Sequence, residues 1–299
     1  MFNKLLKDHY SFEGDFSVEL LRSYTNDVYL VKDQKRKYIL KVYGQTWRTK
    51  EEILWEIDLV EYLSSMNVPV ANVVPSINGE RLRVSEDNGK QIFFVLFEFA
   101  SGEKPKPPFE PKLQYEVGKA AAYLHIASDN FQSDHKRSSI DLKYLIDDSL
   151  LIARRIIEDK DDLKIYEDLA YYVKDKILEF NRDVLDWGPI HGDLTLDNLH
   201  VTREQKIVFY DFDSSGFGWR AMELYGWVVL NPDKKANVEA YLEGYQKVRP
   251  INQINIKAAP YLQAASDIWL KKGMKALSDQ AVLKSQLRRI KEWAEYFKC

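Results

Sequence analysis

Residues 189–218 read PIHGDLTLDNLHVTREQKIVFYDFDSSGFG. The triplet His191-Gly192-Asp193 follows a short apolar run, and Asn198 stands five residues beyond the aspartate. A second apolar run, Ile207 to Tyr210, ends in Asp211-Phe212-Asp213. Apolar runs bounded by polar turns read as short buried strands. The block is therefore strand, loop, hairpin and loop, with carboxylates and one amide at the strand ends. A hairpin between Leu199 and Asp211 brings Asn198 and Asp211 together. Caps or lysine partners for the two aspartates would be the structural alternative. Their placement in a strand–loop–strand unit disfavours it.

The whole chain has 299 residues, 45% of them apolar and 30% charged. This is the balance of a globular protein able to bury a core. The formal charge of −3 gives no global field for nucleic acid or an anionic membrane, so neither is expected as a partner. Cys299 is the single cysteine, which rules out a disulfide framework within the sequence and leaves little for a zinc site. The central apolar run Ile92–Phe97 is far short of the roughly 20 residues that span a bilayer. The opening MFNKLLKDHYSFEGDF lacks the apolar core of a signal peptide, and a cytoplasmic location is expected.

Strand signals dominate residues 16–100: FSVELL, DVYLV, KYILKVY and the nearly continuous QIFFVLFEF. Asn78-Gly79 predicts a hairpin joining NVVPSI to ERLRV, and Asp87-Asn88-Gly89 a second turn. Thr49 and Glu52 make a capping-box pattern for a helix whose stripe is Ile53, Ile57, Val60 and Leu63. Four of the ten prolines fall between Pro105 and Pro111, which reads as a connector. Beyond it, helical spacing recurs at 113–127, 141–158, 163–181, 220–230, 235–248, 254–278 and 281–298. The expected architecture is α+β with two lobes. A small antiparallel-sheet lobe with one main helix occupies 1–100, and a larger, mainly helical lobe occupies 101–299.

An aspartate followed five residues later by asparagine has the spacing H-x-D-x-x-x-x-N of a kinase catalytic loop. Phosphoryl transfer asks for an in-line hydroxyl and for cations that neutralise the phosphate oxygens. Asp193 can take the hydroxyl proton, while Asn198 and Asp211 offer hard oxygen ligands to Mg²⁺. Asp213 is a further metal or supporting position. Gly216–Ala221 matches a dinucleotide fingerprint, but no second parallel strand follows it, and no Walker sequence is present.

HGDLTLDN followed by VFYDFD resembles the aminoglycoside phosphotransferase/choline kinase family, small-molecule relatives of the protein kinases. The resemblance runs over about residues 16–250, and it implies the protein-kinase-like two-lobe fold, with ATP and Mg²⁺ as cofactors. It places Lys41 of KYILKVY on the α- and β-phosphates, with a glutamate on the next helix as partner. Glu56 falls inside the apolar stripe, where an unpaired carboxylate is costly, and Lys41 is its natural partner. The strand ending Leu96–Ala100 resembles the hinge, where the Glu98 carbonyl and the Ala100 amide would read adenine. Ser23–Asp27 stands where a phosphate-covering loop belongs, without the glycine pattern of protein kinases.

Gly192 replaces the arginine of regulated protein kinases, and no A-P-E follows Asp211. Both point to a small hydroxyl-bearing acceptor. SGFGWRAMEL resembles the family's G-x-G-P-R-x-x-D-L, which makes Glu223 a structural brace, and His125 reads as a packed core residue. YLEGYQKVRPI resembles the homoserine-kinase-like and aminoglycoside branches, whereas SYTNDVY is similar to bacterial stress-response kinases. A Ser/Thr protein kinase and a nucleotide-binding protein without transfer activity are the two alternative functions. The acidic residues between Asp141 and Asp162 could receive a cationic acceptor, though interspersed basic residues favour a solvated helix face.

Overall fold

A computed structural model describes residues 2–44, 47–87, 89–180, 184–224, 235–270 and 280–299. β1 (Ser17–Ser23), β2 (Asp27–Lys32), β3 (Lys37–Val42), β4 (Arg83–Asp87) and β5 (Lys90–Glu98) form one antiparallel sheet in the order β1-β2-β3-β5-β4. Strand alternation gives β3 two different faces. Tyr38, Leu40 and Val42 join Val31, Phe94 and Leu96 in an outer cluster closed by Leu6 and Tyr10. Leu6 belongs to α1 (Phe2–His9), a helix that the strand pattern after residue 16 does not foreshadow. Its amphipathic stripe covers a sheet face that would otherwise meet water. The opposite face carries Lys41, paired across the ladder with Val28 and Val95.

α2 (Lys50–Ser65) packs behind this inner face. Thr49 caps it reciprocally: its side chain accepts from the Glu52 amide, and the Glu52 side chain accepts from the Thr49 amide. Ile53, Ile57, Val60 and Leu63 are buried, and so is Glu56, at 1% exposure.

The predicted hairpin across Asn78-Gly79 does not form. Val74 donates to the Leu96 carbonyl, Glu98 donates to the Asn72 carbonyl, and Val73 bridges Phe97. Residues 72–74 and β4 therefore lie end to end along one edge of β5, and Ser76–Glu80 is a local turn between them. Pro75 has no amide to give an edge ladder, so the strand breaks there. The apolar β5 takes both segments as partners before they can take each other. Asn88 of the second turn lies outside the described residues.

The helical half begins with α3 (Pro111–Ser128) and continues through α4 (Asp148–Ile156), α5 (Lys160–Glu179), α6 (Lys235–Gln246), α7 (Gln253–Ile268) and α8 (Gln280–Phe297). A π-helical turn, Lys143–Asp147, leads into α4 where the sequence predicts one helix from 141. Of the predicted helix 220–230, Arg220–Glu223 is a 3-10 turn and residues 225–230 lie outside the described residues. The helix predicted to reach 278 ends at Ile268, and residues 271–279 also lie outside them. Short two-stranded ribbons pair β6 (Trp187–Ile190) with β9 (Gly216–Trp219), and β7 (Leu199–Val201) with β8 (Ile207–Phe209). Their loops carry the 189–213 block to the cleft beneath the sheet. One continuous apolar cluster joins α2 and Val95 to α3, α5 and α7.

α3 and α6 cross at two glycines. A Cβ on Gly118 would collide with the Tyr241 carbonyl, and one on Gly244 with the Tyr115 carbonyl. Helix backbone cannot yield as a side chain does. Gly118→Ala should therefore cost about 1–3 kcal/mol of stability despite alanine's better helix propensity. Urea unfolding would show this as a lower midpoint at unchanged slope.

Candidate active site

Lys41 sits at the centre of the cleft, 4% exposed. Its Nζ lies 3.0 Å from Glu56 Oε1, 3.0 Å from Asp211 Oδ1 and 3.7 Å from Asp213 Oδ1. Tyr43, two residues on and so on the same strand face, donates to Glu56 Oε2 at 3.1 Å. Burial works against the ammonium, but Asp213, Glu56 and Asp211 overcome it and hold Lys41 well above the ordinary lysine value.

Asp211 has left-handed backbone, φ 64°, which turns its carboxylate out of the ribbon and into the cleft. Its Oδ2 accepts from Arg22 of β1. Asp213 is buried on the far side of Lys41. Asn26 donates to its Oδ2 at 3.0 Å and the Trp47 indole at 2.5 Å, and its backbone carbonyl accepts from Arg48 and Arg137. Its Oδ1 accepts no hydrogen bond, with Arg48 Nε at 3.5 Å as an ion-pair neighbour. Arg137 also donates to the carbonyls of Ser215 and Glu52, tying this turn to the start of α2.

Asn198 donates through Nδ2 to the backbone carbonyl and to Oδ2 of Asp193, both at 2.8 Å. Spending the amide nitrogen this way leaves Oδ1 as the atom that a cation could take. Asp193 is held above its ordinary value of 3.8, chiefly by burial, with Asp211 adding to the rise. Among the described residues, no three of His, Cys, Asp and Glu form a metal cluster. The fit to Mg²⁺ is the sparse one that ion accepts: a carboxylate from Asp211 and an amide oxygen from Asn198, with room for phosphate oxygens. The orphan Oδ1 of Asp213 faces the same charge cluster.

Two cavities meet at Asp211. The first, about 370 Å³, lies under the sheet between Val28, Ile39 and Phe97 above and Tyr210 and Phe212 below. Glu98 and Ala100 line it as well. His200 engages one backbone atom of that lining, since its Nδ1 bonds the Ala100 carbonyl at 2.8 Å. The second cavity, about 740 Å³, opens on Asp193 and is lined by Trp47, Phe109 and Trp269, with Asp267 and Arg289. Asp267 is raised by burial, accepts from the Trp293 indole at 2.7 Å and pairs with Arg289. None of the acidic residues at 141–162 lines either cavity. Asp147, Asp148 and Asp162, for instance, pair with Lys174, Lys143 and Lys291.

The loop itself is held from below. Gly192, at φ +80° and against the Ser214 carbonyl, leaves no room for a side chain, and its amide donates to Glu223 Oε1 at 2.7 Å. Glu223 Oε2 lies 2.7 Å from His125 Nε2, and His125 Nδ1 is 2.6 Å from the Tyr245 hydroxyl. A carboxylate only accepts, so His125 Nε2 carries the proton. His191 Nε2 bonds the Tyr210 carbonyl at 3.0 Å, joining the two loops.

Tyr43 could have been found from the two-residue strand period. Arg22, Asn26, Arg137 and His200 carry no such mark, because each reaches its partner across the tertiary fold. Burial pushes Glu223 up, but the His125 contact and the Gly192 amide outweigh it and hold the carboxyl below its ordinary 4.5. A depressed folded pKa adds stability that is present above the unfolded value and lost as pH falls through the folded one. The unfolding free-energy difference between the protein and Glu223→Gln should therefore be constant above about pH 5 and shrink on acidification below it. Denaturant titrations at stepped pH would measure this.

A model of the phosphotransferase enzyme family matches residues 17–251. The homoserine kinase of Agrobacterium fabrum is 28% identical over 250 residues, covering 81% of this chain and 74% of that one. The structure of the microcompartment-associated aminopropanol kinase superposes with a TM-score of 0.81 at 23% identity, covering 98% of this chain and 94% of that one. Amicoumacin kinase in complex with AMP-PNP, Ca²⁺ and Ami gives a TM-score of 0.74 at 21% identity, over 97% and 92%. At those identities the two structures establish the two-lobe protein-kinase-like fold. With the family match spanning most of its length, the chain belongs to the phosphotransferase enzyme family and is a small-molecule kinase.

Proposed function

We propose that the chain moves the γ-phosphoryl group of ATP to a hydroxyl of an amino-bearing small molecule of the amino-alcohol or aminoglycoside type. The observation that carries this reading is the meeting of two unlike cavities at Asp211, with Asp193 opening on the second. The first, about 370 Å³, has apolar walls at Val28, Ile39, Val60 and Phe97, and the Glu98 carbonyl and Ala100 amide are the groups to read a base there. Lys41, held by Glu56, sets the α- and β-phosphates. Asn198 and Asp211 would hold Mg²⁺, with Asp213 beside them, and the ion supplies charge neutralisation at the phosphate oxygens. The amicoumacin kinase complex with AMP-PNP supports the nucleotide part of the reading.

The second cavity supports the acceptor class. Its described lining carries six carboxylates, Asp193, Asp197, Asp211, Asp213, Glu223 and Asp267, against Arg22 and Arg289, among tryptophan and phenylalanine faces. Carboxylates beside aromatic rings suit a cationic amine. Asp193 receives the acceptor's hydroxyl proton as the oxygen attacks the γ-phosphorus and ADP leaves. A deep cavity walled by α7 and α8 residues favours a small acceptor over a Ser/Thr peptide. The presence of Lys41, Asp193, Asn198 and Asp211 together speaks against a binder without transfer. Among the described residues no helix is long and apolar enough to cross a membrane, and ATP use suits the cytoplasm.

The test is a coupled ADP-release screen over amino alcohols, aminoglycosides, sugars and a Ser/Thr peptide pool, with Asp193→Asn as the blank. Turnover of at least one amine-bearing alcohol is expected, with the variant slower by about 10²–10⁴-fold while nucleotide still binds. Peptide labelling alone, or an Asp193→Asn variant of equal activity, contradicts the reading.

A further inference from the structure

The register of the first hairpin holds an irregularity that the reaction outlined above leaves unused. Leu20 pairs with Tyr29 and Ser23 with Asp27, yet Arg22 faces Val28, so β1 carries one extra residue at Leu21. Partners across an antiparallel ladder share a face. Leu20, Tyr29 and Leu40 therefore mark the outer face, and Arg22, Val28 and Lys41 the cleft face. In a regular strand Arg22 would lie on the same side as Leu20. The bulge turns it over the cleft, as bulges beside active sites re-aim side chains.

There the guanidinium caps Asp211 Oδ2, while Lys41 holds Oδ1. The two pairs differ in burial. Lys41 is 4% exposed, whereas the Arg22 side chain is 54% exposed, so solvent screens its pair and the arginine is the displaceable partner. Arg22 also lines both cavities, at the junction that a phosphate chain must cross between adenine and acceptor. The segment Ser23–Asp27, expected to cover the phosphates, contains no glycine to lay bare a row of backbone amides for them. A guanidinium fork is the group suited to do that work instead.

From this we infer that Arg22 is a phosphate-binding residue that exchanges Asp211 for the nucleotide's phosphate oxygens when a divalent cation claims that carboxylate. The inference rests on the nucleotide-dependent transfer proposed above. It makes Arg22 at once the guard of the metal ligand and the cation of a loop that has no glycine cradle.

Calorimetric titration of adenosine and of AMP-PNP with Mg²⁺ into the protein, Arg22→Ala and Arg22→Lys tests it. The alanine variant should bind AMP-PNP about tenfold more weakly or worse, with adenosine unchanged within about twofold. Lysine keeps the charge but loses the fork, and its AMP-PNP affinity should fall between the other two. An Arg22→Ala variant whose AMP-PNP affinity is unchanged, or whose two affinities weaken by the same factor, overturns the assignment. A parent protein that binds neither ligand overturns the underlying nucleotide reading, and this inference with it.

Discussion

The structure depends on one buried cation. Lys41 draws together three carboxylates from two segments: Glu56 of α2, and Asp211 and Asp213, two residues apart in the turn after β8. None of these groups could be buried alone, since desolvating a single charge costs several kcal/mol. Placed together they fix the sheet, its main helix and the Asp211–Asp213 turn relative to one another. Such a cluster adds little net stability over an apolar equivalent. Its yield is geometric, because Asp211 cannot drift while one of its oxygens is held at 3.0 Å. The ring of donors around Asp213 extends the same constraint to Arg48 and Arg137, and through them to the N-terminus of α2.

A second network does for the Asp193 loop what Lys41 does for the Asp211 loop. Tyr245, His125, Glu223 and the Gly192 amide form a buried hydrogen-bonded chain from α6 and α3 to the residue preceding Asp193. The glycine crossing of α3 and α6 sets the distance over which that chain operates. Core packing in the helical half is thus linked to the placement of Asp193, and the His191 contact with Tyr210 joins the two networks.

Much of this was legible in the chain, and for physical reasons. The 189–213 block carries its chemistry in local spacing, and a short ribbon leaves Asn198 and Asp211 few ways to be apart. Glu56 betrays itself as a charge in an apolar helical stripe, and Tyr43 could have been reached by the same reasoning on the strand. The Asn78-Gly79 hairpin failed because a local turn signal competed with long-range pairing to an apolar strand, and the long-range term won. Arg22 was illegible for a subtler reason. One inserted residue reverses the face of everything after it, and no residue type in LLRS marks which position is the extra one. His200 at the Ala100 carbonyl and Arg137 at the Asp213 carbonyl depend on contacts across 100 and 76 positions of sequence, beyond any local pattern.

The central claim is that Asp211, fixed by Lys41 and joined by Asn198, holds a divalent ion against the phosphates of a nucleotide. The most direct measurement is the affinity of AMP-PNP with and without Mg²⁺, for the parent protein and for Asp211→Asn. Tighter binding with the metal in the parent, and indifference to it in the variant, is the expected result. A parent protein indifferent to Mg²⁺, or a variant that keeps the full metal-dependent gain, would contradict it.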